Sequence, residues 1–295
     1  MPGFDLTARK GDVPLGRRRV DEEERQRVSS EEYLATHNLE LYLREAVKHA
    51  SRCAAVRDPG GVNPNAHIEA AAEYFQAVNL GRHVAGREWA FVQATERNQL
   101  AFLHDCRRAW CSTPTTMSAR DWHGALRLQC PDLPFAVLKA AHDACFRTGR
   151  ASSSADEGEG EGAAAGEGAA VDFRRLFPAL RATVLYAPFL EDVRAAAFEH
   201  SDLTPQDVDA CRSAVRAAAA RVRETRGDGS SPPEDSLVDA FVDGAAGGAV
   251  TFGRFRAALC AHEGLARVTA ARLREHEARV RRASAAERAR EYRDS

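Results

Sequence analysis

At 295 residues the chain is long enough for about two domains, and an apolar fraction of 44 % with only 7 % aromatics favours alanine-rich helices over a β-sandwich. A net charge of −2 excludes an overall attraction to nucleic acid or membrane, so any electrostatic partner must be met by a local patch. The seven cysteines stand singly, with no Cys-x-x-Cys pair, no leader-like apolar segment and no run of membrane-spanning length, which predicts reduced core thiols in a soluble cytoplasmic protein without a cofactor.

Residues 1–29 mix Arg17-Arg18-Arg19 with Asp21-Glu22-Glu23-Glu24 and have little to bury, so they read as a charged flexible tail. Residues 30–80 form the first structured unit. Ser29 or Ser30 caps a helix whose Leu39, Leu43, Val47 and Ala50 have the spacing of a buried stripe, and Asp58-Pro59-Gly60-Gly61 stops it. After Asn63-Pro64-Asn65 a second helix carries Ile68, Ala71, Ala72, Phe75 and Val78 along one side. Two short helices cannot bury both faces alone, so this hairpin needs a second copy of itself or the downstream domain. The Tyr33-Leu34 start, the proline-containing loop and the second helix with Glu73-Tyr74-Phe75 resemble the dimerisation-docking fold of the type II regulatory subunit of protein kinase A. The candidate protein-interaction residues are Leu39, Leu43, Val47, Ile68, Ala72 and Phe75.

Gly81 to Gly86 reads as a hinge, followed by the apolar Trp89-Ala90-Phe91-Val92. From Phe91 to Phe135 the pattern is two amphipathic helices joined by a short loop. Thr95 caps the first, with Phe102, Leu103, Cys106, Ala109 and Trp110 at helical period, and Ser118 opens the second through Trp122, Ala125 and Leu126 until Pro131. Pro134 starts a further helix with Leu138, Ala141 and Cys145 on one face. Residues 151–170 are an acidic low-complexity insert that cannot build a core. Asp172 caps a helix through Phe173, Leu176, Phe177 and Leu180, and another runs from Phe189 through Val193 to Phe198. Thr204-Pro205-Gln206-Asp207 starts a helix showing Val208, Cys211, Val215 and Val222, and Leu237, Val238 and Phe241 lead to an exit helix with Phe252, Phe255 and Leu259. Residues 266–295 form an Arg-rich helix, polar almost all round, either a solvated tail or a basic arm for an acidic surface.

Within residues 88–265 one pattern recurs. Met117-Ser118-Ala119-Arg120-Asp121-Trp122, Val171-Asp172-Phe173-Arg174-Arg175-Leu176 and Val250-Thr251-Phe252-Gly253-Arg254-Phe255 share an apolar residue, a cap, and apolar residues third and sixth. Any capped helix entered after an apolar residue has some of this look. In a calcium-binding helix–loop–helix the eighth loop residue is apolar and pairs with its twin, and the twelfth is a bidentate Glu. With Met117, Val171 and Val250 as eighth residues, the twelfth are Asp121, Arg175 and Arg254, two of them cations. The third loop keeps only Asp243 and Gly248, with Ala245 and Gly247 where ligands belong, and the insert stretches the second loop. The expectation is an all-α fold of degenerate EF-hand-like helix–loop–helix units that persist by packing, with no metal.

No Gly-rich phosphate loop follows a strand, and neither Gly-x-Ser-x-Gly nor His-Glu-x-x-His occurs, so the expected protein is not an enzyme and has no catalytic or cofactor-binding residues. His104, Cys106 and Cys111 lie on one helix or its end with a spacing unlike a zinc finger, and His123 and His142-Asp143 read as surface polar residues.

Phe91-Val92-Gln93-Ala94-Thr95 with Asn98 and Phe102-Leu103, and Leu128-Gln129-Cys130-Pro131-Asp132-Leu133-Pro134, are similar to the family of centriolar satellite-associated regulators of the tubulin polyglutamylase complex. Tyr33-Leu34, Glu73-Tyr74-Phe75, Arg87-Glu88, Phe189-Leu190 with Val193, and Thr251-Phe252 with Phe255 extend the likeness over about residues 31 to 270. The resemblance implies a non-catalytic adaptor in the cytoplasm and cytoskeleton, at centriolar satellites, basal bodies or cilia. Its implied partners are polyglutamylase subunits and tubulin or microtubules, beside a homodimer through the hairpin. A kinase-anchoring docking module and a calcium sensor are the other readings.

Overall fold

The structure, a computed structural model, describes residues 33–34, 37–57, 63, 65–147, 169–198, 208–225, 239 and 251–294. The charged tail, residues 151–168 of the insert, the Thr204 to Asp207 helix start, Leu237, Val238, Phe241 and the Asp243 to Gly248 loop lie outside these residues. What is described is almost wholly helical, as the composition and periodicity require.

Helix α1 (Leu39–Arg57) is entered through Asn38, whose φ of 51° is one an asparagine tolerates. Helix α2 (Ala66–Asn79) runs back along it. Of the expected Leu39, Leu43, Val47 and Ala50 stripe only Ala50 lies in the seam between them. That seam follows the fourfold rows Tyr42, Ala46, Ala50, Ala54 and Ala66, Ala70, Tyr74, Val78, in which the alanines let two backbones approach closely. Helix α2 ends at Gly81, whose φ is 69°; the Arg82 amide donates to the Ala77 carbonyl at 2.9 Å, satisfying a terminal acceptor. A side chain at Gly81 would also meet the last helix, because its Cβ would stand 3.3 Å from His276 Nε2.

A short helix α3 (Trp89–Gln93) buries Phe91 and Val92, and α4 (Glu96–Trp110) buries Asn98 through Leu103 and Cys106. Strand β1 (Thr116–Met117) precedes α5 (Ala119–Leu126) and α6 (Phe135–Arg147). Strand β2 (Val171–Asp172) leads to α7 (Phe173–Leu185) and α8 (Ala187–Val193), which runs into one wide turn over Arg194–Phe198. Helices α9 (Val208–Thr225), α10 (Phe252–Ala261) and α11 (Glu263–Asp294) follow.

The three repeated helix starts are capped as their sequences require: Ser118 accepts from the Asp121 amide, Asp172 from Arg174 and Thr251 from Arg254. Met117 and Val171, equivalent positions of the first two repeats, are antiparallel strand partners, with Thr116 opposite Asp172. Trp122, fully buried, ties the pair to the core by donating from Nε1 to the Val171 carbonyl at 2.8 Å and packing 4.9 Å from the Phe173 ring. Around it α6 packs on α7 and α10, and α4 on α7 and α11. At about 2 kcal/mol or more per fully buried large apolar side chain, Trp122, Phe102, Phe173, Phe189 and the leucines beside them are the main source of stability.

Two further sequence expectations change. The Arg-rich segment is not solvated over its first half, because α11 buries Leu265, Thr269, Leu273, His276 and Glu277 against α4 and α7. Two of its buried polar residues are met from the facing helices: Arg181 donates to Thr269 Oγ1 at 2.8 Å and to the Ala266 carbonyl at 2.7 Å, and Arg107 pairs with Glu277 at 3.0 Å. His142 is buried rather than on the surface; its Nε2 donates to the Ala169 carbonyl at 2.8 Å and so holds the approach to β2.

Candidate functional site

At the junction between the α1–α2 hairpin and the rest of the chain gather Arg87, Phe91, Thr95 and Asn98, four of the residues singled out by the family resemblance. Thr95 is extended, because an N-cap must be, and its hydroxyl oxygen accepts from the Asn98 amide at 3.1 Å. That cap turns Asn98 inward, where its Nδ2 donates to the Phe91 carbonyl at 2.8 Å. The Oδ1 atom then faces the hairpin and accepts from Tyr42 Oη and His83 Nε2, both at 2.8 Å. With the tyrosine proton so used, the Thr95 hydroxyl donates to Tyr42 Oη at 2.9 Å. Thr95 and Asn98 are buried, so each of these bonds is made away from water.

Burial depresses His83 to about 4, with Arg97 and Arg87 adding to the effect and the Asn98 bond opposing it, so the imidazole is neutral near pH 7. A neutral ring with one N–H is the form that fits Asn98 Oδ1. Beside it Arg87 lies 3.8 Å over the Phe91 ring and donates to Glu45 on α1 at 2.7 Å. Burial resists ionisation of Glu45, but the bonds from Lys48 and Arg87 outweigh it and hold the carboxyl below its usual range.

The connection expected to be a hinge is pinned at three places. The Gly86 amide donates to the Gln129 carbonyl at 2.8 Å, the Trp89 amide to Asp132 Oδ1 at 2.6 Å, and His83 and Val84 are buried. Gln129 also accepts through Oε1 from the Cys106 thiol at 3.0 Å, and the Leu133 carbonyl accepts from His123 Nε2 at 2.7 Å. The string Phe91 to Asn98 thus seats the hairpin through Tyr42, and Gln129 to Leu133 holds the connection that follows it.

Of the six candidate interaction residues, Leu43, Val47 and Ile68 are 50, 66 and 68 % exposed, Ala72 is exposed, and Leu39 and Phe75 are half-buried. Packing among the described residues therefore leaves most of that set uncovered. Leu43 and Val47, with Leu34, floor an open depression of about 450 Å³ whose rim is Glu40, Arg44 and Lys48. The rim charges are partly internally paired, Arg44 with Glu40 at 2.6 Å and Lys48 with Glu45 at 2.9 Å. Ile68 and Ala72 lie on the side of α2 turned away from the row that meets α1.

Sequence reasoning missed Tyr42, His83, Arg87 and Asn98 as a unit. The available signal was the spacing of Thr95 to Asn98, a cap followed three residues on by a polar side chain inside an apolar helix.

Among the described residues no group of three or more His, Cys, Asp and Glu is placed to hold a metal. Asp121 accepts from the Ser118 hydroxyl at 2.7 Å, and the Arg175 guanidinium donates to the Cys145 carbonyl at the end of α6 at 3.1 Å. Five of the cysteines are buried, and the thiols of Cys106, Cys130, Cys145, Cys211 and Cys260 are all pushed up by burial, away from nucleophilic character. No described helix is long and apolar enough to cross a membrane.

No family model matches the chain, and no solved structure matches it. Curated proteins do. The chain is 30 % identical over 113 residues to "Centriolar satellite-associated tubulin polyglutamylase complex regulator 1" of Rattus norvegicus and to the protein of the same name in Homo sapiens, over 37 % of this chain and 33 % of each relative. To the Danio rerio protein of that name it is 32 % identical over 119 residues, 39 % of this chain and 34 % of the relative. The chain spans about a third of the length of these relatives, and their name is that of the family the sequence strings resemble.

Proposed function

We propose that the protein is a non-catalytic adaptor that supports a tubulin polyglutamylase complex, presenting the α1–α2 hairpin to a partner subunit. The observation that carries this reading is the use made of the resemblance residues. Thr95, Asn98 and Arg87 are committed to hydrogen bonds and ion pairs that seat the hairpin, Asp132 holds the Trp89 amide of the connection, and Leu34, Leu43 and Val47 are left facing solvent. A constellation spent on geometry around an uncovered apolar face suits a scaffold, and regulator is the word in the relatives' name. The degenerate EF-hand-like pair formed around Met117 and Val171 acts on this view as a rigid base, its loops tied by Trp122 and its would-be ligand Arg175 spent on the Cys145 carbonyl. The location that goes with the relatives' name, centriolar satellites and the cytoskeleton around them, belongs to the proposal.

Copurification with the tagged full-length chain tests it. Recovery of polyglutamylase subunits is the expected result, and recovery of a clean, partnerless protein from cells expressing the complex would refute it. Homodimerisation or kinase anchoring through the same hairpin is the second reading, favoured by the exposure of Leu43, Val47 and Ile68. Light scattering separates the two: a mass of twice the chain that falls to one chain in Leu43→Asp/Val47→Asp would favour self-association.

A further inference from the structure

The last helix carries a second feature. Arg267, Arg274, Arg281 and Arg288 are each seven residues apart on α11, and all four are exposed. Seven residues are close to two turns, so the four fall on one stripe, stepping about 10.5 Å at a time over roughly 32 Å. Alanines, Ala271, Ala278 and Ala285, fill the positions between them. The stripe is on the side away from Leu265, Thr269, Leu273 and His276, the row that α11 buries.

Three of the six acids of the helix are engaged elsewhere. Glu277 is buried and paired with Arg107, Glu275 faces Arg279 at 3.8 Å, and Glu287 accepts from Gln76 on α2. Among the described residues none of the four arginines enters an ion pair or hydrogen bond, while Arg274 adds to the depression of Arg181 by like-charge repulsion. Four unneutralised guanidinium groups in a row, on a helix held at its other face over its first half, raise a local positive potential in a chain of net charge −2.

We infer that this ladder is a binding site for an extended acidic peptide, rich in glutamate and about ten residues long. In a polyproline II conformation, with three residues per turn and about 3.1 Å per residue, every third carboxylate points the same way at about 9 Å intervals, close to the spacing of the ladder. Guanidinium and carboxylate are matched forks, which favours a carboxylate ligand over one recognised by hydrophobic insertion. The stripe holds no Trp, Phe or Leu with which to enter a bilayer, and the absence of net basic charge in the whole chain works against a nucleic-acid backbone. The site needs only α11 and stands apart from the adaptor reading, which rests on the hairpin.

Fluorescence anisotropy of a labelled twelve-residue oligoglutamate, titrated with the full chain at low and at physiological salt, tests it. Arg267→Gln/Arg274→Gln/Arg281→Gln/Arg288→Gln is expected to weaken binding at least tenfold and to flatten the salt dependence. Arg52→Gln/Arg82→Gln/Arg108→Gln/Arg120→Gln, which removes the same charge elsewhere, should change binding less than twofold. Equal losses in the two variants, no binding by the parent chain, or tighter binding of a twelve-nucleotide single-stranded DNA than of the peptide would each overturn the assignment. All four ladder residues are exposed, so both variants are expected to keep the parent melting temperature, which circular dichroism checks.

Discussion

Replacing Asn98 by alanine tests the seat of the hairpin at its centre. The side chain makes three buried hydrogen bonds, accepting from Tyr42 and His83 and donating to the Phe91 carbonyl, each at 2.8 Å. Asn98→Ala strands those three groups where water does not reach, at about 1–3 kcal/mol for each unsatisfied group, so a loss of about 3–5 kcal/mol is expected after partial relaxation. Tyr42→Phe is the milder perturbation. It removes one hydroxyl, leaves Asn98 Oδ1 bonded to His83, and should cost about 1–1.5 kcal/mol. Urea unfolding followed by far-ultraviolet circular dichroism gives both numbers. Hydrogen exchange of the α1 amides reports the seat itself, and faster exchange confined to α1 and α2 is the expected signature of Tyr42→Phe. Equal costs for the two variants, or a loss below 1 kcal/mol for Asn98→Ala, would refute the idea that this asparagine organises the junction.

Gly81→Ala should destabilise by about 1–2 kcal/mol in the same urea assay, since Gly81 has φ 69° and the new Cβ would press on His276 at 3.3 Å. Stability should fall on acidification: burial lowers His83 to about 4 and, with the charge of the neighbouring His104 added, His276 to about 3. The unfolded chain therefore binds the extra protons first, and the contribution present above pH 6.5 is lost as pH drops, by about 1–2 kcal/mol per histidine between pH 6.5 and 5. Urea midpoints at pH 7.5 and 5.0 check this, and a smaller difference in His83→Gln is expected. Millimolar calcium should leave the melting temperature unchanged and give no calorimetric heat of binding, because Arg175 holds the Cys145 carbonyl and Asp121 is bonded to Ser118.

Local chemistry in this chain was readable, and long-range chemistry was not. The caps Thr95, Ser118, Asp172 and Thr251 depend on a hydroxyl or carboxylate and the amide two or three residues on, so the sequence contains everything that makes them. The equivalence of Met117 and Val171 was likewise legible from the repeat and reappears as a strand pair. The seam of α1 was misread because Leu39, Leu43 and Val47 outrank Tyr42, Ala46 and Ala54 in hydropathy, yet the smaller residues permit close packing. The tyrosine faces inward for a partner lying 56 residues away, Asn98, which no local pattern announces. The same holds for His142, whose acceptor at Ala169 lies at the far end of the acidic insert, and for α11, whose buried Thr269 and Glu277 look solvated until Arg181 and Arg107 are brought to them. The ladder on α11 was diluted in the sequence by six acidic residues on the same helix, and it separates from them only when the helix is set on its buried face.

The account depends on an apolar face of α1 that the described residues leave uncovered. Quantitative copurification of tubulin polyglutamylase subunits with the full-length parent chain and with Leu43→Asp/Val47→Asp, at equal expression and matched melting temperature, measures whether that face is used. The expected result is recovery with the parent and at least a tenfold loss with the double substitution. Equal recovery with both chains would contradict it.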